Sequence, residues 1–560
     1  MSALARSGFG RNRRSEAPPR FVPVELPVDF LKNVRLIQGG MGVHVSNWRL
    51  ARAVAMERPG EVVGTVSGTA LDVVYARLLQ LGDPGAHARR ALQALDDRFG
   101  CGIGAAVRDR FFIEGGKAPA DSFKHTPMHL LRGADAASSV RVPEREADPV
   151  ALTLNGDLIE LLIATGFAEV WLAKEGHAGR IFINFLNKIE PPLLFALYGA
   201  MLAGVDGVLV GAGNPDGLPA ICSQLARHEP VRRNLSMLYR ESGEEFTIGF
   251  DPRHVADGRL ARRPLARPAF LAIVSLADLV KALAGGDREG PDGFVVEHHT
   301  AGGHNANPVG PLKRDELGQP IYGDSDEADL AAIRGVGAAF WLAGGYDSRD
   351  GLEKALAAGA TGVQVGSVFA LAEESGMKAD FRNAILNEIK SGADDASLVR
   401  TTMFSPTGYS FKVVQLAETL SEPDVFEARR RVCDLGILQQ WGFSKADEDG
   451  TRALMRRCPS GPVESYVQRR GLERSTDQRR CLCNGLLACV GLGQVHERAG
   501  KLVEEPAIVT LGNHLDGVRR LSRQGQARYW ARDVVADILG QPARPAPPGR
   551  PTADGPGALH

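Results

Sequence analysis

Eight times along this chain a short, almost wholly apolar run ends in a glycine-rich or polar turn. The runs are Val34 to Gln38, Val62 to Val66, Ile181 to Phe185, Gly207 to Val210, Phe270 to Val274, Phe294 to Glu297, Ala339 to Ala343 and Gly362 to Val365. Runs this short and this continuously apolar are what parallel strands look like when helices cover them, because both faces are then buried. Helical stretches lie between most of them, Pro192 to Ala203 and Gly351 to Ala358 among them. Eight strand–helix units predict an α/β chain folded as a (β/α)8 TIM barrel. That fold carries its chemistry at the carboxyl ends of the strands, where these turns lie.

The spacing divides the rest of the chain. The barrel is expected over 26–375, with a mostly helical insertion at about 70–175 between the second and third runs. No further strand pattern follows Ala370, so 376–540 is expected to be a helical extension. The two ends, 1–25 and 541–560, read as disordered tails; the last twenty residues hold six prolines and three glycines.

Composition narrows the class of function. Lys and Arg total 66 and Asp and Glu 67, a balance that argues against a nucleic-acid binder. No apolar run reaches the roughly 18 residues a membrane helix needs, and no apolar stretch follows Arg11, Arg13 and Arg14 as a secretory signal would require. Seven cysteines in 560 residues suggest reduced thiols and a cytoplasmic protein. Cys481, Cys483 and Cys489 form a thiol group that reads as buried apolar side chains, since zinc and redox sites favour a two-residue spacer.

Two turns are the most informative. Gly344-Gly345 and Gly366-Ser367 follow the last two strands and precede helices. Glycine lets backbone N–H groups approach a phosphate closely, a helix start adds its positive end, and the Ser367 hydroxyl can donate. Thr300-Ala301-Gly302-Gly303-His304 adds an imidazole beside them, able to move a proton near neutral pH. His298 and His299 raise a metal reading, but adjacent residues on an extended chain point to opposite faces and no ligand cluster lies nearby in sequence; no metal is expected. Across the barrel mouth, Gly39-Gly40-Met41-Gly42 would suit a flat apolar ring, or be a bare turn. Asn184, polar within an apolar strand, would either meet a ring edge or be a satisfied core amide.

Taken together and in order, Ile37 to Ser46, Ala301 to His304, Trp341 to Tyr346 and Gly362 to Ser367 resemble the nitronate monooxygenase (2-nitropropane dioxygenase) family over roughly residues 30–70 and 180–375. The same motifs resemble the related FMN-dependent enoyl-acyl-carrier-protein reductases, toward which Gln38 to Met41 and Gly211 to Pro215 lean. The resemblance implies an FMN-binding barrel. It implies that Gly302, Gly303, Gly344, Gly345, Gln364, Gly366 and Ser367 hold the FMN with its phosphate, that Gly39, Gly40, Met41, Gly42 and Asn184 lie by its ring, and that His304 is catalytic. Tyr346 and Ser367 depart from the family pattern, as do the insertion and the extension.

The activity implied first is nitronate monooxygenation, an oxidation of nitronates by O2 to carbonyl and nitrite. His304 would act there as base, or as an imidazolium holding the anion. The alternative is reduction of an enoyl thioester by NAD(P)H, with His304 as proton donor. A third reading is a non-catalytic flavin-binding scaffold. A small-molecule substrate is expected in the first two cases, and a homo-oligomer is possible on this reading.

Overall fold

A computed structural model describes residues 28–132, 140–144, 148–286, 288–498, 500–523 and 528–540. The expected tails, 1–25 and 541–560, lie outside the described residues.

All eight expected runs are strands of one closed barrel. They are β1 (Leu36–Gln38), β2 (Val62–Ser67), β3 (Arg180–Leu186), β4 (Gly207–Gly211), β5 (Ala269–Val274), β6 (Gly293–Glu297), β7 (Ala339–Ala343) and β8 (Gly362–Val365). Every neighbour pairs in parallel, and β1 closes the ring by pairing both β2 and β8, with Leu36 opposite Val62 and Val363. The interior is a packed plug of Ile37, Val63, Phe182, Leu209, Leu271, Val295 and Trp341. Phe30 and Leu31, from the short helix Val28–Asn33, pack onto this plug. Trp341 is fully buried and its indole N–H donates to the Val34 carbonyl at 2.9 Å, so its one polar atom is satisfied.

Outside the barrel, the helix Gly156–Lys174 is buried along most of its length and packs on Glu190–Leu202. Glycine permits that contact. A Cβ on Gly166 would sit 2.3 Å from the Ala196 carbonyl, and one on Gly199 would sit 2.1 Å from that of Ile163. No helix among the described residues is long and apolar enough to cross a membrane.

The extension differs from expectation. It holds helices, but also the strands Val399–Thr402, Ser410–Val414, Gln440–Phe443, Thr451–Arg457, Val495–Arg498 and Lys501–Glu504. The insertion likewise contributes Leu130–Leu131, Arg141–Pro143 and Val150–Leu154. These strands escape a sequence reading because they are short, several are polar, and some have remote partners. Thr451–Arg457 pairs with Arg141–Pro143, and Val150–Leu154 pairs with Phe246–Phe250. A seven-residue run with three arginines becomes a strand only when both a neighbouring and a distant segment supply its ladder bonds.

Candidate functional site

The barrel mouth opens into a cavity of about 230 Å³. Its walls include every residue expected to hold the cofactor or act on the substrate: Gly39, Gly40, Met41, Gly42, Asn184, Gly302, Gly303, His304, Gly344, Gly345, Gln364, Gly366 and Ser367. Residues spread over more than 300 positions meet there because each lies in the carboxyl half of a barrel strand or in the loop after it.

The loop after β1 is held by its own polar side chains. Gln38 Nε2 donates to Ser46 Oγ at 2.8 Å, Ser46 Oγ donates to the Gly39 carbonyl at 3.0 Å, and the Met41 N–H donates to Ser46 Oγ at 2.9 Å. Gln38 Oε1 also accepts from the Thr65 N–H, which ties the loop to β2. The loop was expected across the mouth from the last turns. Barrel closure places it beside them instead, since β1 neighbours β8: the Gly39 N–H donates to the Val365 carbonyl at 2.8 Å, and a Cβ on Gly366 would lie 3.7 Å from the Met41 sulfur. Gly40 has no room for a side chain, as its Cβ would fall 2.2 Å from the Asn184 Cβ.

The three expected corners converge. Gly344 has φ +92° and Gly345 φ +83°, a region that glycine enters readily. A Cβ on Gly344 would meet Thr300 Oγ1 at 2.8 Å. A fourth corner joins them from the extension. The Gly512 N–H donates to Ser367 Oγ at 2.7 Å, the Gly303 N–H donates to Thr510 Oγ1 at 3.0 Å, and the Asn513 N–H donates to the Thr300 carbonyl. Sequence reading missed this segment, although Ala507 to Leu511 followed by Gly512 repeats the pattern of an apolar run before a glycine. The expected help from helix starts is small. Ser367–Ala370 is a single four-residue turn, and the helix after Gly345 begins only at Arg349, capped by Ser348. Backbone amides and hydroxyls therefore dominate this corner.

Two buried amide oxygens of lining residues, Asn184 Oδ1 and Gln364 Oε1, have no hydrogen-bond partner among the described residues. A buried amide oxygen left in this state is costly, and a ligand with donors on a ring edge or a polyol chain would satisfy it. The extension and neighbouring strands supply an apolar wall: Phe185, Leu186, Ile189, Ile437, Leu438, Leu482 and Leu486. A smaller adjoining cavity shares Phe185, Leu186, Ile189 and Ile437 and continues along Met128, Leu162, Leu193 and Ala196.

His304 pairs with Phe411 as a two-residue strand and packs against that ring edge-on at 4.8 Å. Its Nε2 lies 2.7 Å from Ser405 Oγ, which lies 2.7 Å from Thr407 Oγ1. Burial pushes its pKa down to about 3, and the nearby Lys188 charge acts the same way, so the ring is neutral at ordinary pH. Burial likewise holds Lys188 and Lys412 at about 8 and raises Glu297 to about 7. The Lys188 ammonium sits over the Tyr409 ring, while Lys412 donates to Asn305 Oδ1 and Thr401 Oγ1.

His298 and His299 do not diverge as an extended chain would make them. The turn begins at His299, which brings the two rings to 4.0 Å, and Glu327 reaches His298 Nε2 at 2.9 Å across 29 residues. The absence of ligands nearby in sequence was therefore no guide to the folded neighbourhood.

Behind the first loop, the buried Glu169 accepts from Tyr75 at 2.8 Å and lies 3.7 Å from His44 Nδ1. Burial raises its pKa to about 7 from an ordinary 4.5. A carboxyl raised on folding stabilises the fold below about pH 4.5, and that contribution is lost as pH rises through about 7. Between pH 5 and 8 the melting temperature of the Glu169→Gln protein is expected to fall less than that of the wild type. Parallel thermal scans check this, and equal slopes would remove Glu169 as the source.

The solved structures similar to this chain include these three. FabK from Thermotoga maritima matches at 14% identity over 92% of this chain and 94% of its own, with a TM-score of 0.41. A nitroalkane oxidase from Streptomyces ansochromogenes matches at 13% identity over 91% and 95%, TM-score 0.41. The enoyl reductase domain of MlnA, from the macrolactin biosynthesis cluster of Bacillus amyloliquefaciens, matches at 9% identity over 90% and 93%, TM-score 0.40. No family model matches the chain, and no curated protein matches it.

Proposed function

We propose that the cavity holds FMN and that the chain is a flavin-dependent oxidoreductase whose substrate is an enoyl thioester reduced at the expense of NAD(P)H. The residues present fit the cofactor. Four amide- and hydroxyl-bearing corners meet where its phosphate would lie, and the partnerless oxygens of Asn184 and Gln364 would receive its donors. When bound, FMN supplies hydride-transfer chemistry.

The observation that carries the choice of substrate is the apolar wall. Ile437, Leu438, Leu482 and Leu486 come from the extension, and the adjoining cavity lengthens the apolar surface. A fatty or polyketide chain needs such a surface and a small nitronate does not. Saturating the double bond requires a hydride at the β carbon and a proton at the α carbon. A neutral His304 can supply the proton to so basic a carbon, and Ser405 and Thr407 form the hydroxyl pair through which the ring exchanges it.

Nitronate oxidation with O2 keeps one observation in its favour, the half-buried Lys188 beside His304, which would meet an anion's charge. The alternative in which His304 itself is the imidazolium is disfavoured by its depressed pKa. Anaerobic mixing separates the two reactions. Bleaching of the bound flavin by NADH or NADPH, reversed by an enoyl thioester, is the expected result. Bleaching by a nitronate alone, with nitrite formed on admitting air, would replace this reading with the other. A protein that takes up no FMN would end both.

A second expectation follows for the cofactor. Gly40→Val pushes a side chain into Asn184, so FMN affinity should fall at least about tenfold, about 1.4 kcal/mol. Fluorescence titration of flavin into the apoprotein measures it, and an unchanged Kd would separate the first loop from the flavin.

A further inference from the structure

Outside the site above, four cysteines meet. Cys433, Cys458, Cys481 and Cys483 line one small cavity of the extension. They come from three separate places: the stretch after helix Pro423–Ala428, the turn after strand Thr451–Arg457, and the start of helix Leu482–Cys489. Cys481, Cys483 and Cys489 are buried, as expected, but Cys489 does not line this cavity. Cys489 ends that helix, roughly 9 Å along its axis from Cys483 at about 1.5 Å per residue, and two cysteines more than 20 residues upstream take its place.

The thiols form two pairs. Cys433 and Cys458 lie close enough to shift each other's titration, and so do Cys481 and Cys483. The pairs feel each other's charge, since Cys481 acts on Cys458 and both Cys433 and Cys458 act on Cys483. Yet no three of the sulfurs crowd together: among the described residues, the one trio of His, Cys, Asp or Glu donor atoms lying within 4.8 Å of one another is His298, His299 and Glu327. A single tetrahedral zinc, with Zn–S about 2.3 Å, holds all four sulfurs about 3.8 Å apart. Two close pairs set further from each other match a donor set in which two irons take two thiolates each.

The surroundings offer donors and a cation to an anionic centre, set against the carboxylates of Asp434 and Glu505, which act on Cys433 and Cys481. The Cys458 and Cys481 sulfurs accept backbone N–H bonds from Ser460 and Asn484, and Asn484 Nδ2 also approaches Cys481 Sγ at 3.6 Å. The Arg429 charge acts on Cys481. Two buried donor atoms nearby have no hydrogen-bond partner among the described residues: Gln439 Nε2, on a residue lining this cavity, and Arg429 Nη2, on a side chain only 8% exposed. Cys433 is exposed, which gives iron and sulfide a way in.

We propose that Cys433, Cys458, Cys481 and Cys483 bind an iron–sulfur cluster, with the first two on one iron and the last two on the other. Leu438, Leu482 and Cys483 line both this cavity and the barrel-mouth cavity, so the cluster would share a wall with the candidate flavin site. The assignment stands without the flavin reading, because iron and sulfide are counted separately from flavin.

The test is to purify the whole chain anaerobically from iron-supplied cells, reconstitute it with ferric iron and sulfide, and measure iron, acid-labile sulfide, zinc and flavin per chain. About two irons and two sulfides are expected, with a paramagnetic signal on one-electron reduction. Cys433→Ser and Cys481→Ser should each lower bound iron at least about tenfold, while Cys489→Ser keeps the wild-type content. Circular dichroism guards against misfolding, and the exposed Cys433 is the safer position to change. Zinc in place of iron, a disulfide within either pair, seven free thiols with no metal after reconstitution, or full iron retention in Cys433→Ser would each overturn the proposal.

Discussion

His304→Gln is expected to lower kcat by about 10²–10⁴-fold, the range a positioned proton-transfer group contributes, while FMN binding stays near wild type. In free energy this is about 3–5 kcal/mol of barrier. Glutamine keeps a polar group near Ser405 Oγ, now 2.7 Å from the ring, but cannot pass a proton on. The flavin spectrum and its bleaching by NAD(P)H should therefore survive, and the defect should lie in reoxidation by the enoyl substrate. Stopped-flow measurement of the two half-reactions checks this. A variant that reoxidises at the wild-type rate would remove His304 from the chemistry. The low pKa adds a second signature: with a conjugate acid near 3, the ring itself should cause no inflection in the rate between pH 5 and 8. An inflection near 8 would point instead to Lys188 or Lys412.

Arg452→Ala is expected to destabilise the protein by about 3–5 kcal/mol. The guanidinium is paired with Glu244 in a site where the two side chains are 4% and 1% exposed. It also donates to the Tyr239 and Pro143 carbonyls at 3.1 Å each. One side chain thus ties together the insertion, the segment between β4 and β5, and the extension. Removing it takes the cation from a buried carboxylate, which costs far more than the pair contributes net. Denaturant titration followed by circular dichroism measures the loss. The double variant Arg452→Met with Glu244→Leu should recover most of it, since no charge is then left buried alone. If the double variant is as unstable as the single one, the hydrogen bonds to the carbonyls matter more than the charge.

The barrel was legible because its signal is local. A strand covered on both faces must be apolar nearly throughout, and a turn that brings backbone close to a ligand favours glycine. Both demands leave marks within five or six consecutive residues, as in Trp341 to Gly345. The thirteen residues expected at the site line one cavity because a barrel gathers the carboxyl ends of its strands at one mouth. The extension obeys a different logic. Thr451–Arg457 is a strand because Arg141–Pro143 and Gln440–Phe443 flank it, and nothing within the run itself says so.

What the sequence determined by itself is the eightfold strand–turn framework and the set of glycines, amides and imidazole facing its mouth, because burial and close approach restrict residue type position by position. What only the tertiary structure decided is which distant groups meet: Gly512 at Ser367, Glu327 at His298, and Cys433 and Cys458 at Cys481 and Cys483. Such meetings depend on loop closure over tens to hundreds of residues, and their residues carry no periodicity that announces the partner.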